Sequence, residues 1–318
     1  MKAIVTLTIN PAIDGAAETE RIQPIRKNRT SHERYYPGGG GINVARVIEE
    51  LGGKALAVYL TGGVTGPLFD GLFERTGIPA RRIPVEDDTR ISHVVFERST
   101  GLEYRFVPEG PNIQEPEWRA SLEVLDSLDF DFLVASGSLP PAGPLDFYPM
   151  VAELVRNKGA KLVLDTSGAA LQRALDRGVF MIKPNLGEFE ALVRKSAYDV
   201  SVQEREVQGL IRSGAVEIVA LTMGRSGALL ATKDMLVRLA PPPVEAKSAV
   251  GAGDSFVGAM TLALARGRDV RDAFAYAVAA GTAATLSVGT ELCKRAEVER
   301  LYGLLRNGLT FRKDIDRP

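Results

Sequence analysis

Residues 248–267 read SAVGAGDSFVGAMTLALARG. Gly251, Ala252 and Gly253 lead into DSFVGAMTLALARG, a run that is apolar nearly all round, and a helix of that kind is buried on every side. Amides at the start of such a helix, beside residues with small side chains or none, form an anion site worth about half a positive charge. Asp254 falls at that mouth. Taken alone it reads more readily as a helix N-cap, a position Asp fills well. Its flanks open a second reading, in which a carboxylate beside an anion hole takes the proton of a hydroxyl attacking phosphorus. Phosphoryl transfer asks a protein mainly for positioning, charge stabilisation and one base, so a single carboxylate suffices.

Outward from that helix, short apolar runs alternate with helix-like stretches. Strands are expected at Lys2–Ile9, Ala55–Leu60, Phe132–Ser136, Lys161–Asp165, Phe180–Lys183 and Glu217–Thr222. Runs such as FLVAS, KLVLD and EIVAL are continuous, as strands covered on both faces of a parallel sheet are. Helices are expected between them, at Asn43–Leu51, Leu68–Thr76, Glu115–Ser127, Pro144–Lys158, Gly187–Arg194 and Val202–Ser213. The alternation predicts an α/β fold, a mostly parallel sheet flanked by helices. Two helices, the one at Asp254 and the alanine-rich RDAFAYAVAAGTAATLSVG, are expected to close the chain. Two segments break the pattern. Residues 14–37 are polar and extended, and 92–107 alternate as a hairpin does, turning at Ser99-Thr100-Gly101. Together they predict a small β-sheet lid inserted in a single domain spanning 1–318. The tail after Leu309 reads as frayed.

Ligands of open α/β sheets bind beyond the carboxyl ends of the strands. Polar or glycine-rich clusters stand at those ends here: NPAID, SGSLPP, DTSG, KPNLGE and TMGRSG. Any one of them is ordinary loop composition; five along one sheet edge favour a binding crevice. PGGGGINVAR (37–46) sets four glycines before a helix, where backbone N–H groups can approach a ligand. It is neither G-x-x-x-x-G-K-[ST] nor G-x-G-x-x-G, so neither the Walker A loop nor the dinucleotide fingerprint operates there.

Composition sets bounds. Of 318 residues, 39 are Lys or Arg and 40 are Asp or Glu, a balance that disfavours a nucleic-acid or membrane surface. One cysteine, Cys293, allows no internal disulfide, and a cytoplasmic location is the simplest expectation. Two histidines and one cysteine leave no zinc constellation.

VGAGDSFVGA and PGGGGINVAR resemble the two signatures of the ribokinase-like, or PfkB, carbohydrate kinases. TLTINPAID, SGSLPP, KPNLGE and PPPVEAKSAVGAGDS are similar in order and spacing to the phosphofructokinase branch, and YPGGGGIN, EYRFV and AAGTAATL to its minor, non-Walker 6-phosphofructokinases. The resemblance implies a doubly wound domain with a β lid, a homodimer formed through the lids, and ATP with Mg²⁺. It makes Asp254 the base and the amides of Gly251, Ala252 and Gly253 the hole for the phosphoryl charge. Asp14, Gly39, Gly40 and Asn43 would hold sugar hydroxyls, with Ser138 nearby. Lys183 and Asn185 would approach the nucleotide phosphates, and Thr222, Gly224, Gly227 and Ser248 would line the nucleotide site. Asn185 and Glu188 form the family's N-x-x-E pattern, which organises Mg²⁺ largely through water; Glu188 also fits a solvated acid in a first helical turn. A K⁺ site is implied near Val250, Ala284, Ser287 and Gly289, although the resemblance leads one to expect Asn and Arg where Ser287 and Glu291 stand.

The expected substrate is a sugar phosphate. Lys27, Arg29, Arg90 and Arg105, from three lid segments, can converge on a phosphate, for which arginine offers a planar fork. Tyr104 and Phe106 are expected to pack at a lid interface. The reaction that follows is ATP-dependent phosphorylation of fructose 6-phosphate at its 1-hydroxyl. Fructose 1-phosphate or tagatose 6-phosphate is the alternative substrate, and a non-catalytic sugar-phosphate sensor is the alternative of a different class.

Overall fold

The computed structural model describes residues 2–308 except 142, 288 and 290; the tail after Leu309 lies outside the described residues. In chain order the strands are β1 Ile4–Thr8, β2 Ala12–Thr19, β3 Ser31–Gly38, β4 Ala55–Gly62, β5 Ala80–Val85, β6 Arg90–Glu97, β7 Leu102–Phe106, β8 Phe132–Ser136, β9 Lys161–Asp165, β10 Val179–Ile182, β11 Val216–Thr222, β12 Ala228–Ala231 and β13 Leu236–Leu239. The helices are α1 Gly40–Glu50, α2 Gly66–Glu74, α3 Glu115–Ser127, α4 Phe147–Asn157, α5 Gly168–Leu175, α6 Leu186–Val193, α7 Val200–Arg212, α8 Ala252–Ala265, α9 Val270–Ala284 and α10 Arg295–Gly308.

Nine strands form one sheet in the order β13-β12-β11-β10-β9-β8-β1-β4-β5. From β5 to β11 every pairing is parallel; β12 and β13 add an antiparallel hairpin at one edge. Side chains alternate across the pleat, so β1 sends Ile4 into one core layer and Val5 and Leu7 into the other. The first layer packs under α1, α2, α8, α9 and α10, the second under α3 to α7. Helix α8 lies deepest: every residue from Ser255 to Ala263 is buried, and the alanines of α9 let the two helices pack closely. A third helix, α10, follows them, which corrects the expectation that two helices close the chain. Its sequence RAEVERLYGLLRNG is polar on one side and reads as surface, yet Val298, Leu301 and Tyr302 are buried on α9.

The separate four-stranded sheet has the order β3-β2-β6-β7. Its parallel centre, β2 beside β6, joins two antiparallel pairs. The β6–β7 turn lies at 98–101 as expected, with Gly101 at φ 72°. The chain crosses between the sheets four times: β1 to β2, β3 to α1, β5 to β6 and β7 to α3. The register aligns Tyr35, Gly15, His93 and Phe106 in one row across the sheet, on the face opposite Arg105. Among the described residues no helix is long and apolar enough to cross a membrane.

Candidate active site

Between the carboxyl edge of the main sheet and the inner face of the small one lies a cleft of about 380 Å³. β1, β8, β9 and β10 end there, and both α1 and α8 begin there. Its floor carries Asp254. The cap of α8 is Gly251, at φ 73° with no side-chain hydrogen bond, and Asp254 sits two residues inside the helix. The simple N-cap reading of Asp254 is therefore corrected: its carboxylate faces the cleft instead of closing its own helix. Asn43 Nδ2 donates to Asp254 Oδ2 at 2.9 Å. Burial raises the Asp254 carboxyl above the ordinary range, with the Asn43 hydrogen bond and the Lys183 charge pulling the other way. A carboxylate raised in this way is a stronger base than a free aspartate, and the positive helix terminus beside it favours its ionised form.

Lys183 follows β10, and its ammonium lies 3.3 Å from Asp165 Oδ1 at the end of β9, both side chains largely buried. Burial alone lowers a lysine, but Asp165 and Glu188 hold Lys183 above its usual value; burial pushes Asp165 up to about 6 against the pull of Lys183. Both are charged at neutral pH. A Cβ on Gly253 would meet Lys183 Nζ at 3.4 Å, so this ammonium stands directly at the mouth of α8. Asp165 and its neighbours Thr166 and Ser167 line the cleft. Sequence reasoning marked their segment, DTSG, as a cluster without assigning a role. The signal missed was a carboxylate ending one strand beside a lysine ending the next.

On the wall towards the small sheet, Asp14 lies over Gly38, where a Cβ would come within 2.0 Å of its Oδ2. Burial raises Asp14 to about 6, opposed by Arg46, Arg90 and Arg105. Gly39, Gly40, Asn43 and Ser138 line the same wall. Of the four basic residues expected on a phosphate, Arg90 and Arg105 line the cleft. Lys27 and Arg29 do not: they are exposed on the β2–β3 connection, outside the cleft of their own chain. Arg90 is also a structural tie. It donates to the carbonyls of Asn10 at 2.7 Å, Pro11 at 3.3 Å and Pro108 at 2.9 Å. One guanidinium thus joins three of the four chain crossings at the root of the lid.

The expected nucleotide residues lie along the sheet edge beside the cleft. Among the described residues, Asn185, Thr222, Gly224, Gly227 and Ser248 are not part of its lining. Asn185 and Glu188 form a reciprocal capping box on α6, with Glu188 N to Asn185 Oδ1 at 2.9 Å and Asn185 N to Glu188 Oε2 at 2.8 Å. The bland reading of Glu188 therefore holds in part, yet Glu188 also lines the cleft, and its second oxygen is outside that box. Gly227 is required by packing, since a Cβ there would lie 2.2 Å from Leu239 O. Buried Ser248 bonds Glu103 of the lid at 3.0 Å and Gly289 O at 3.3 Å. Within the loop expected to hold K⁺, Val250 reaches the cleft, while Ala284 O and Gly289 O already accept hydrogen bonds and Ser287 Oγ donates to Leu292 O at 3.2 Å. Glu291, the unexpected acid, pairs with Arg34 of β3 at 3.3 Å.

The sequence profile described as pfkB family carbohydrate kinase matches residues 4–297. ATP-dependent 6-phosphofructokinase isozyme 2 of Mycobacterium tuberculosis is 40% identical over 303 residues, covering 95% of this chain and 89% of that protein. A crystal structure of phosphofructokinase-2 from Escherichia coli in complex with potassium superposes with a TM-score of 0.93 at 37% identity, over 96% of this chain and 100% of that one. A 1-phosphofructokinase of Bacillus subtilis is 33% identical over 293 residues, covering 91% of this chain and 95% of that protein.

Proposed function

The chain belongs to the pfkB family of carbohydrate kinases, and within that family we propose that it transfers the γ-phosphoryl group of ATP to the 1-hydroxyl of fructose 6-phosphate, giving fructose 1,6-bisphosphate and ADP. The observation that carries this reading is one cleft with Asp254 and Lys183 at a helix mouth on its floor and the lid arginines Arg90 and Arg105 in its wall. That arrangement offers a base for a hydroxyl at one end of a short sugar and cations for a phosphate at the other. Asp254 takes the proton of the 1-hydroxyl as its oxygen bonds to the γ-phosphorus and the bond to the β–γ bridging oxygen breaks. The helix-mouth amides from Gly251 to Gly253 and the Lys183 ammonium take up charge on the transferring group. Asp14, Asn43 and Ser138 orient the sugar, and the lid keeps water from competing for the phosphoryl group.

Mg²⁺ fits the donors present, with the free oxygen of Glu188 as a direct or water-bridged ligand and Asn185 acting through water; it would neutralise charge on the nucleotide phosphates. Asn185 Oδ1, engaged by a backbone amide, is a poor direct ligand. We read the 3-10 turn after β11, with Thr222, Gly224 and Gly227, as the nucleotide side of the site. K⁺ would bind near Val250, Ala284, Ser287 and Gly289 through backbone oxygens, a reading supported by the potassium complex of the Escherichia coli protein. We read the chain as one ribokinase-like unit with the small sheet inserted as its lid. Its outer face exposes Tyr35, Leu102 and Phe106, which suits a homodimer formed lid to lid. In such a dimer Lys27 and Arg29 would be available to the partner's cleft. One buried, unpaired cysteine agrees with a cytoplasmic setting.

The test is ADP release measured in parallel with fructose 6-phosphate, fructose 1-phosphate and tagatose 6-phosphate. The expected result is the highest kcat/KM for fructose 6-phosphate. A preference for fructose 1-phosphate would make the chain a 1-phosphofructokinase, and tight sugar-phosphate binding without ADP release would make it a sensor.

A further inference from the structure

Arg46 is the third residue after Asn43 on α1, and residues three apart on a helix are neighbours. Its Nη1 donates to Asn43 Oδ1 at 3.2 Å and to the carbonyl of Pro37 at 3.1 Å, with the guanidinium 5.6 Å from the Tyr36 ring centre. Asn43 is buried, and its Nδ2 donates to Asp254 Oδ2 at 2.9 Å. A guanidinium only donates hydrogen bonds and an ionised carboxylate only accepts them. An amide held between the two has a single workable orientation, with oxygen toward Arg46 and nitrogen toward Asp254. Turned over, it would set its oxygen against the carboxylate and its N–H₂ against the guanidinium. Arg46 is not part of the cleft lining among the described residues, and its hydrogen-bonded route to Asp254 runs through Asn43. Pro37 is the penultimate residue of β3, just before the chain passes into α1 at the second lid crossing.

We propose that Arg46 is a positioning residue for phosphoryl transfer: it locks the Asn43 amide against Asp254 and ties that amide to the root of the lid. The path runs from the Pro37 carbonyl through Arg46 and Asn43 to the base. Lysine at 46 would keep the charge felt by Asp14 and Asp254 and has donors enough for both acceptors, but its rotatable ammonium would lose the rigid placement of Nη1 that the planar guanidinium over the Tyr36 ring provides. The proposal rests on Asp254 being the base, and the experiment separates the two ideas.

Steady-state kinetics of Arg46→Lys, Asn43→Ala and the double variant are compared with those of Asp254→Asn. Arg46→Lys is expected to lower kcat by about 10–10²-fold, the scale of a small misplacement of a catalytic group, with KM for ATP little changed. In the Asn43→Ala background the same substitution should cost less than about twofold, because its route to the base is already cut. A purely structural role would instead give a cost that adds in full on top of Asn43→Ala. Arg46→Lys with near-normal kcat, or with an undiminished cost in the double variant, would overturn the proposal. If Arg46→Lys is not recovered folded, Arg46→Gln enters the same cycle with the same expectations. Near-normal turnover in Asp254→Asn would instead remove the base itself. Loss of turnover there beside a silent Arg46→Lys would leave the kinase reading standing and the relay refuted.

Discussion

The helices α1 and α8 both start in small residues beside the cleft, and a Cβ placed on each shows how differently they are built. At Gly40 it would lie 2.1 Å from Ser136 Oγ and 2.9 Å from the Ser136 backbone carbon; at Gly41, 2.5 Å from Leu7 O. The start of α1 is pressed into the ends of β1 and β8, and its glycines are a steric requirement. At Gly253 the nearest neighbour would be Lys183 Nζ at 3.4 Å, an ordinary contact across open space. Only Gly251 on that helix is bound to glycine by its backbone, at φ 73°. Two stretches of small residues thus differ, one a tight joint and the other open beside the Lys183 ammonium.

Substitutions on the two helices should separate these roles. The largest effect is expected at the opening: Asp254→Asn should lower kcat by about 10²–10⁴-fold, the usual worth of a placed general base, with the thermal midpoint held or raised. Near-normal turnover would return Asp254 to a structural role. At the joint, Gly40→Ala should destabilise the fold by about 1–3 kcal/mol through overpacking, seen as a lower unfolding midpoint in urea. An unchanged midpoint would erase the contrast between the helices. Gly253→Ala should leave that midpoint alone and reduce kcat about tenfold, or about 1.4 kcal/mol, by placing a methyl group in the open space beside the Lys183 ammonium that the proposed phosphoryl group would enter.

The smallest effect is a pH dependence on the α1 side. The Asp14 carboxyl, raised to about 6 by burial over Gly38, is more easily protonated in the folded chain than in the unfolded one. Between the ordinary carboxyl range and pH 6 the native state therefore binds more protons, and stability falls as pH rises through that window. Asp14→Asn should stabilise the free protein by on the order of 1 kcal/mol at pH 7.5, after screening. The gain should shrink towards zero at about pH 3, below the ordinary carboxyl range, where Asp14 is protonated in the folded and the unfolded chain alike, and sugar-phosphate affinity should fall at pH 7.5. Melting curves at the two pH values check this; an equal gain at both would mean that ionisation of Asp14 is not the cause.

The two helices also mark how far the sequence could be read. Strands β8 and β9 were legible to the residue, because burial on both faces demands continuous apolar runs, and FLVAS and KLVLD are each five residues long, too short for an ordinary helix. Strand β5, ARRIPV, was not: as an edge strand it carries two exposed arginines and a proline. The β12–β13 hairpin is built from two four-residue strands, too short to show a period. Asp254 was legible as a site because its small neighbours are contiguous in sequence. Arg46 was not, since nothing in GGINVAR distinguishes an arginine on a solvated helix face from one that faces an asparagine and a carbonyl at the lid root. Asp165 was hidden for a similar reason, because its partner ends a different strand.

Arg90 carries a mechanical consequence. With the carbonyls of Asn10, Pro11 and Pro108 held on one guanidinium, β2, β6 and β7 share a single pin. Sliding any one of these strands against its neighbours at the root would break bonds belonging to the others, so any displacement of the small sheet that keeps these bonds must carry the three strands together. A ligand that turns that one side chain acts on all three strands in the same instant.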